Sequence, residues 1–200
     1  MTGDRVGCSG LRGAAMRYSA AGWPIAPTVP PAHEGVVCQH GPAGPGEAQE
    51  WWSQESYGIA LLTGVLFDVL QLPAWLGARL LPALEHRTGV IVEEGPGYAR
   101  WRFLVSPGYP AIAELGLIGG GACLIGAGRW VLLPPTPRPG GTTRWAARPP
   151  LVATVADTVP HSLHVQRAAV RAVAAARHDR NLPIETDRAV SPALRSRKAG

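Results

Sequence analysis

The stretch that most constrains the fold is Gly126–Trp145, Gly-Ala-Gly-Arg-Trp-Val-Leu-Leu-Pro-Pro-Thr-Pro-Arg-Pro-Gly-Gly-Thr-Thr-Arg-Trp. It reads as a glycine-rich turn, a short buried strand over Trp130 to Leu133, and a proline-locked loop. Trp, Val and Leu suit a pleated, half-buried surface. Pro134 and Pro135 restrict φ and lack the N–H that a ladder needs, so the strand stops there. Gly140-Gly141 offers a hairpin-type reversal into an extended Thr142-Thr143-Arg144-Trp145.

The rest of the chain alternates helix, strand and hairpin signals. Leu11 to Ala21 has Leu11, Ala14, Ala15 and Tyr18 on one helical face, and Gly22 ends it before a strand starting at Trp23-Pro-Ile-Ala-Pro. Glu47 to Ser56 reads as a short helix in which one of Trp51 and Trp52 packs and the other sits at a rim. Strands are expected over Tyr57–Leu62, Val65–Leu72, Val90–Glu93 and Tyr98–Val105. Turns are expected at Thr63-Gly64, Gly95–Gly97 and Ser106–Pro110. Pro73 to Glu85 has helical spacing, with Pro82 a kink or break. Pro160 to His178 is an Ala-rich helix with Leu163, Ala169 or Val170, and Val173 on one face, free to dock on the domain or on a protein partner. The pattern predicts an α+β domain, a mixed β-sheet core with flanking helices, followed by a C-terminal helix and flexible tail. The expected division is a domain at 11–150 and an appendage at 151–200. Residues 1–10 and those beyond Asn181 lack periodicity and read as frayed or flexible.

Composition bounds the function. The net charge of +5 is uneven: residues 1–150 carry 11 Arg against 10 acids, and residues 151–200 carry eight Lys/Arg against four acids. The basic tail permits contact with a polyanion without requiring it. Lys198 is the only lysine, a bias that reflects GC-rich coding rather than phosphate-binding design. Three cysteines, Cys8, Cys38 and Cys123, are too scattered for a disulfide framework. Leu115 to Leu133 is apolar but holds six glycines and Arg129, a poor membrane span, and no leader pattern opens the chain. The expected compartment is the cytoplasm, with no membrane partner. No Gly-x-Gly-x-x-Gly or Gly-Lys-Ser/Thr motif supports a dinucleotide or P-loop reading. The serines, cysteines and six histidines form no recognisable nucleophile motif.

Three stretches in order resemble the bifunctional DNA primase/polymerase N-terminal (prim-pol) domain family, over roughly 11–150. Tyr18-Ser-Ala-Ala-Gly-Trp-Pro-Ile-Ala-Pro27 is similar to that family's opening helix and first strand. Tyr57-Gly-Ile-Ala-Leu-Leu-Thr-Gly64 is similar to its Gly-Ile-Ala-x-x-Thr-Gly strand and turn. The Gly126–Trp145 stretch is similar to the end of its catalytic core. The resemblance implies a primase-like α+β fold and metal-dependent nucleotidyl transfer, in which carboxylates hold Mg²⁺ or Mn²⁺ ions that activate the primer hydroxyl and neutralise the triphosphate. Some relatives carry a Cys-rich, zinc-binding insertion in the Pro-, Gly- and His-rich loop between Thr28 and Glu47. His33, Cys38 and His40 are the donors there, and three loose donors fall short of a four-ligand structural zinc site.

The family's chemistry is missing from the matched positions. Its Asp-x-Asp or Asp-x-Glu pair falls on Gln71-Leu72-Pro73. Its phosphate-contacting His falls on Trp101, flanked by Arg100 and Arg102. Its third acid falls on Cys123, with Ile125 where the family often has Arg. Asp68, Glu93 and Glu94 are the nearby acids left as catalytic candidates. Strand alternation sets Asp68 on the opposite face from Gln71 and splits Glu93 from Glu94. Arg100, Arg102, Arg129 and Trp101 are the candidates for contacting nucleic acid or phosphate.

Three readings follow. A catalytically degenerate prim-pol-like domain binds DNA or nucleotide, with no metal or cofactor. An active primase/polymerase uses rearranged ligands and Mg²⁺ or Mn²⁺. A structural or protein-interaction domain is unrelated to DNA. A carboxylate cluster within about 4 Å of a shared point favours the enzyme, and a basic concave face with exposed Trp52 or Trp101 favours single-strand binding by stacking.

Overall fold

A computed structural model of the chain describes residues 8–28, 41–54, 57–84, 88–95, 98–138, 141–149 and 159–180. The His33, Cys38 and His40 trio, the tip of the Gly95–Gly97 turn and the tail beyond Asn181 lie outside these residues.

Helix α1 (Cys8–Ala20) leads into β1 (Ile25–Thr28) and α2 (Pro45–Gln54). Strands β2 (Gly58–Leu62) and β3 (Asp68–Pro73) come next, then α3 (Ala74–Leu80) and a 3-10 turn at Leu81–Leu84. The pair β4 (Val90–Gly95) and β5 (Tyr98–Val105) precedes a second 3-10 turn, Ala113–Leu117. Four strands, β6 (Cys123–Ile125), β7 (Trp130–Leu133), β8 (Pro137–Arg138) and β9 (Gly141–Ala147), lead to α4 (Ser162–Arg180).

The α+β expectation holds, with the strands divided between two sheets: β1-β2-β7, and β6-β3-β5-β4-β9-β8. Every described ladder is antiparallel rather than mixed. The larger sheet is covered on both faces. Val69, Ile91 and Leu104 pack with the small sheet, α1 and α2 around Trp23 and Phe67. Leu70, Leu72, Phe103 and Val105 pack against α3 and α4 through Leu76, Leu80, Val165, Ala169 and Val173. A strand buried on both sides needs apolar residues at successive positions, as Val69–Leu70 and Phe103–Leu104–Val105 supply.

Several expectations are met in detail. Leu11, Ala14, Ala15 and Tyr18 are all buried on α1. Trp52 packs, its indole N–H donating to the Tyr57 carbonyl, while Trp51 sits half-buried. The helix after β3 breaks one residue before Pro82, continuing as a 3-10 turn.

Other elements differ. The strand expected from Val65 starts at Asp68, because the Thr63-Gly64 turn extends to Phe67, whose carbonyl accepts from Gly64 N–H. Val65 is left 55% exposed. On α4 the buried face runs through Val165, Ala169, Val173 and Ala176, and Leu163 is only half-buried. That face is used within the chain's own core. Gln166 fixes it there, accepting from Ile112 N–H and donating to the Pro110 carbonyl.

The Gly126–Trp145 stretch joins the two sheets: β7 lies in the small one, and β8 and β9 in the large one. The prolines between them end one ladder, and Thr136 spans the junction. Its hydroxyl accepts from Ile59 N–H (2.8 Å), and its carbonyl accepts from the backbone N–H and hydroxyl of Thr143.

Helix α3 approaches β5 so closely that a Cβ on Gly77 would lie 2.4 Å from the Cβ of Trp101. Gly77→Ala should therefore destabilise the fold by about 1–3 kcal/mol through overpacking, although alanine is the better helix former. Urea denaturation would read this as a lower midpoint with an unchanged slope.

Candidate functional site

On the face of the large sheet that looks toward the small one, one row of paired residues runs Cys123, Gln71, Arg102, Ile91, Trp145 across β6, β3, β5, β4 and β9. Alternation adds Pro73, Arg100 and Glu93 one step along the same face. Three of these residues, Gln71, Pro73 and Cys123, are those the resemblance matches to metal-holding acids. The fold brings them together. A glycine run packs against them: Gly119, Gly120 and Gly121 all have positive φ (76°, 61° and 78°), a conformation that side chains disfavour. A Cβ on Gly120 would come within 3.2 Å of Pro73.

The polar side chains here bond to one another. Gln71 Nε2 donates to the Gly121 carbonyl (2.9 Å) and lies 3.7 Å from Cys123 Sγ. Gln71 Oε1 accepts from Arg102 Nε (3.0 Å). Arg102 also donates to Glu93 Oε1, and Arg138 donates to Glu93 Oε2. The Glu93 side chain is 0% exposed, and each arginine side chain is 6% exposed. A carboxylate this deep needs charge-assisted partners on both oxygens, and it has them.

The other candidates lie elsewhere. Asp68 points to the opposite face of β3, as alternation requires. Its Oδ2 accepts from Gly108 N–H (3.0 Å), while its Oδ1 is buried without a hydrogen bond. Burial pushes its carboxyl above the ordinary value of 3.8, and the Gly108 bond opposes that shift. Glu94 is exposed and pairs with Arg144 (2.7 Å). The acid candidates are thus dispersed, and among the described residues no three His, Cys, Asp or Glu side chains are grouped to hold a metal ion.

The proposed nucleic-acid contacts also separate. Arg102 lies in the sheet interior. Trp101 lies on the α3 side, half-buried against Gly77. Arg129 is exposed in the glycine turn before β7, and Arg100 is half-buried. Trp52 is buried and offers no stacking surface. Arg138 was missed in the sequence, because its partner Glu93 is 45 residues away and only the β8–β9 hairpin brings them together.

The donor set does not suit a divalent cation. Mg²⁺ and Mn²⁺ take hard oxygen ligands, chiefly carboxylates. Here the one carboxylate is held by two guanidiniums, the one amide oxygen is occupied by Arg102, and the remaining positions are proline and cysteine.

Among the described residues no helix is long and apolar enough to cross a membrane. Neither curated proteins nor solved structures yield a match to the chain. The family model described as bifunctional DNA primase/polymerase, N-terminal, matches residues 15–163, which span both sheets, the Cys123–Gln71–Arg102 row and the first residues of α4. The chain belongs to the prim-pol family.

Proposed function

We propose that this chain keeps the prim-pol fold without metal-dependent nucleotidyl transfer, and serves to bind nucleic acid or nucleotide in the cytoplasm. The observation that carries this is the network of Gln71, Arg102, Glu93 and Arg138, which engages Gln71, one of the three positions (with Pro73 and Cys123) where family resemblance calls for metal-holding acids. Two cations and one anion there leave a positive balance, which repels Mg²⁺ and favours phosphate. Family membership and the positive balance of this network support a nucleic-acid or nucleotide ligand.

Calorimetry with Mn²⁺ and a deoxynucleoside triphosphate, beside tryptophan-fluorescence titration with single-stranded DNA at two salt concentrations, separates the readings. The expected result is DNA binding that weakens with salt and no metal-dependent nucleotide binding. Tight metal-dependent nucleotide binding would overturn the loss of the metal site. Silence in both assays would overturn the binding role.

Two substitutions test the acids. Glu93→Gln strands two buried guanidiniums and should cost about 3–5 kcal/mol of stability, read by urea denaturation. Near-parental stability with lost metal binding would instead make Glu93 a ligand. For Asp68, the folded state holds its proton more tightly than the unfolded state. The group's contribution to stability is therefore full below about pH 3.8 and is lost as pH rises through the higher folded value. Asp68→Asn removes that loss, so its thermal midpoint relative to the parent should rise between pH 4 and pH 8. A pH-independent difference would contradict the assignment.

A further inference from the structure

A pocket opens on the domain surface between α1, the proline link after β7, and the end of β9. It encloses about 100 Å³ and is walled by Tyr18, Pro134, Pro135 and Trp145, with Arg17 and Arg148 also lining it. The wall is fixed by a hydrogen-bonded chain: Trp145 Nε1 donates to the Tyr18 hydroxyl (3.0 Å), which donates to the Pro134 carbonyl (2.7 Å). The tyrosine ring stacks on Trp23 with centroids 5.1 Å apart. Tyr18 therefore has no proton left for a ligand, and the available donors are the arginines.

Both arginines are exposed, and among the described residues neither pairs with a carboxylate. Arg17 lies back along its own helix, its Nη1 3.5 Å from where a Cβ on Gly13 would stand. Burial raises the Tyr18 hydroxyl above its ordinary pKa, while the Trp145 bond and the charges of Arg148 and Arg17 oppose that rise. The two cations line the same pocket from different elements, Arg17 from α1 and Arg148 from just after β9. Two guanidiniums over a rigid, partly apolar cup suit a compact oxyanion. The volume is below the roughly 150 Å³ that accommodates benzene, so a single phosphoryl group fits and a whole nucleoside does not.

We propose that Arg17 and Arg148 form a phosphoryl-binding pocket, separate from the Gln71–Arg102 row and independent of metal. The phosphoryl group comes either from free phosphate or from a nucleotide whose sugar and base remain outside the cup.

Calorimetry on the full chain, in EDTA, with inorganic phosphate, dAMP and deoxyadenosine tests this. Phosphate or dAMP should bind with a Kd of about 1 mM or tighter, and deoxyadenosine should not. Equal affinities for the two anions identify free phosphate as the ligand, and tighter dAMP binding identifies a nucleotide. Arg17→Gln with Arg148→Gln should weaken binding by about tenfold or more at an unchanged thermal midpoint, and the double lysine variant should recover part of it. Absence of binding by both anions, binding unaffected by the double glutamine variant, or deoxyadenosine binding as well as dAMP would each overturn the proposal. Because Arg102 and Glu93 are untouched, failure here leaves the reading of their network standing.

Discussion

Glu93 is the interaction on which the functional face depends. Its carboxylate is fully buried in the middle of a six-stranded sheet, where an unpaired charge would cost several kcal/mol. Arg102 reaches it from β5 and Arg138 from β8, so one side chain ties three strands together. Through Arg102 the linkage extends to Gln71 on β3, and through Gln71 to Gly121 and Cys123 beside β6. The polar end of an otherwise apolar face is thereby knitted together by its own side chains. Removing one member exposes the rest to an unpaired environment, which makes the group a unit rather than a set of contacts.

The surrounding architecture explains why such a network is tolerated. The large sheet is covered by helices on one face and by the small sheet, α1 and α2 on the other. That burial on both sides supplies the apolar area that offsets the desolvation of the ions. The Gly126–Trp145 stretch makes the arrangement possible by carrying the chain from β7 in one sheet to β8 and β9 in the other. Arg138 sits on the short strand directly after that crossing, so the sheet junction and the ion network are built from the same residues.

The same geometry bears on chemistry. In the prim-pol family the expected task of this face is to gather oxygen anions around cations. This chain gathers arginines around its one buried carboxylate at that face, with neutral Gln71 and Cys123 beside it. Two guanidiniums and one carboxylate give this face a net positive balance. The pocket at Tyr18 and Trp145 stands on the same face, two strands from Arg102, and is likewise lined by arginines.

Much of the fold was legible in local pattern. Helical spacing gave α1 and its buried face, proline placed the break after α3, and apolar runs marked β2, β5 and β7, because period and backbone restriction are properties of short segments. The absence of acids at Gln71, Pro73 and Cys123 was legible too, since residue identity is all it requires. The sequence did not disclose the division into two sheets, the antiparallel order β6-β3-β5-β4-β9-β8, or the docking of α4 on its own domain. Those depend on which distant strands pair. The pairing of Arg138 with Glu93, 45 residues apart, and the meeting of Arg17 and Arg148 at one pocket have the same origin. Residue identity determined which side chains stand at the positions matched to the family's acids. The tertiary structure decided what surrounds them, because a buried charge is satisfied by neighbours in space, and chain order does not name them.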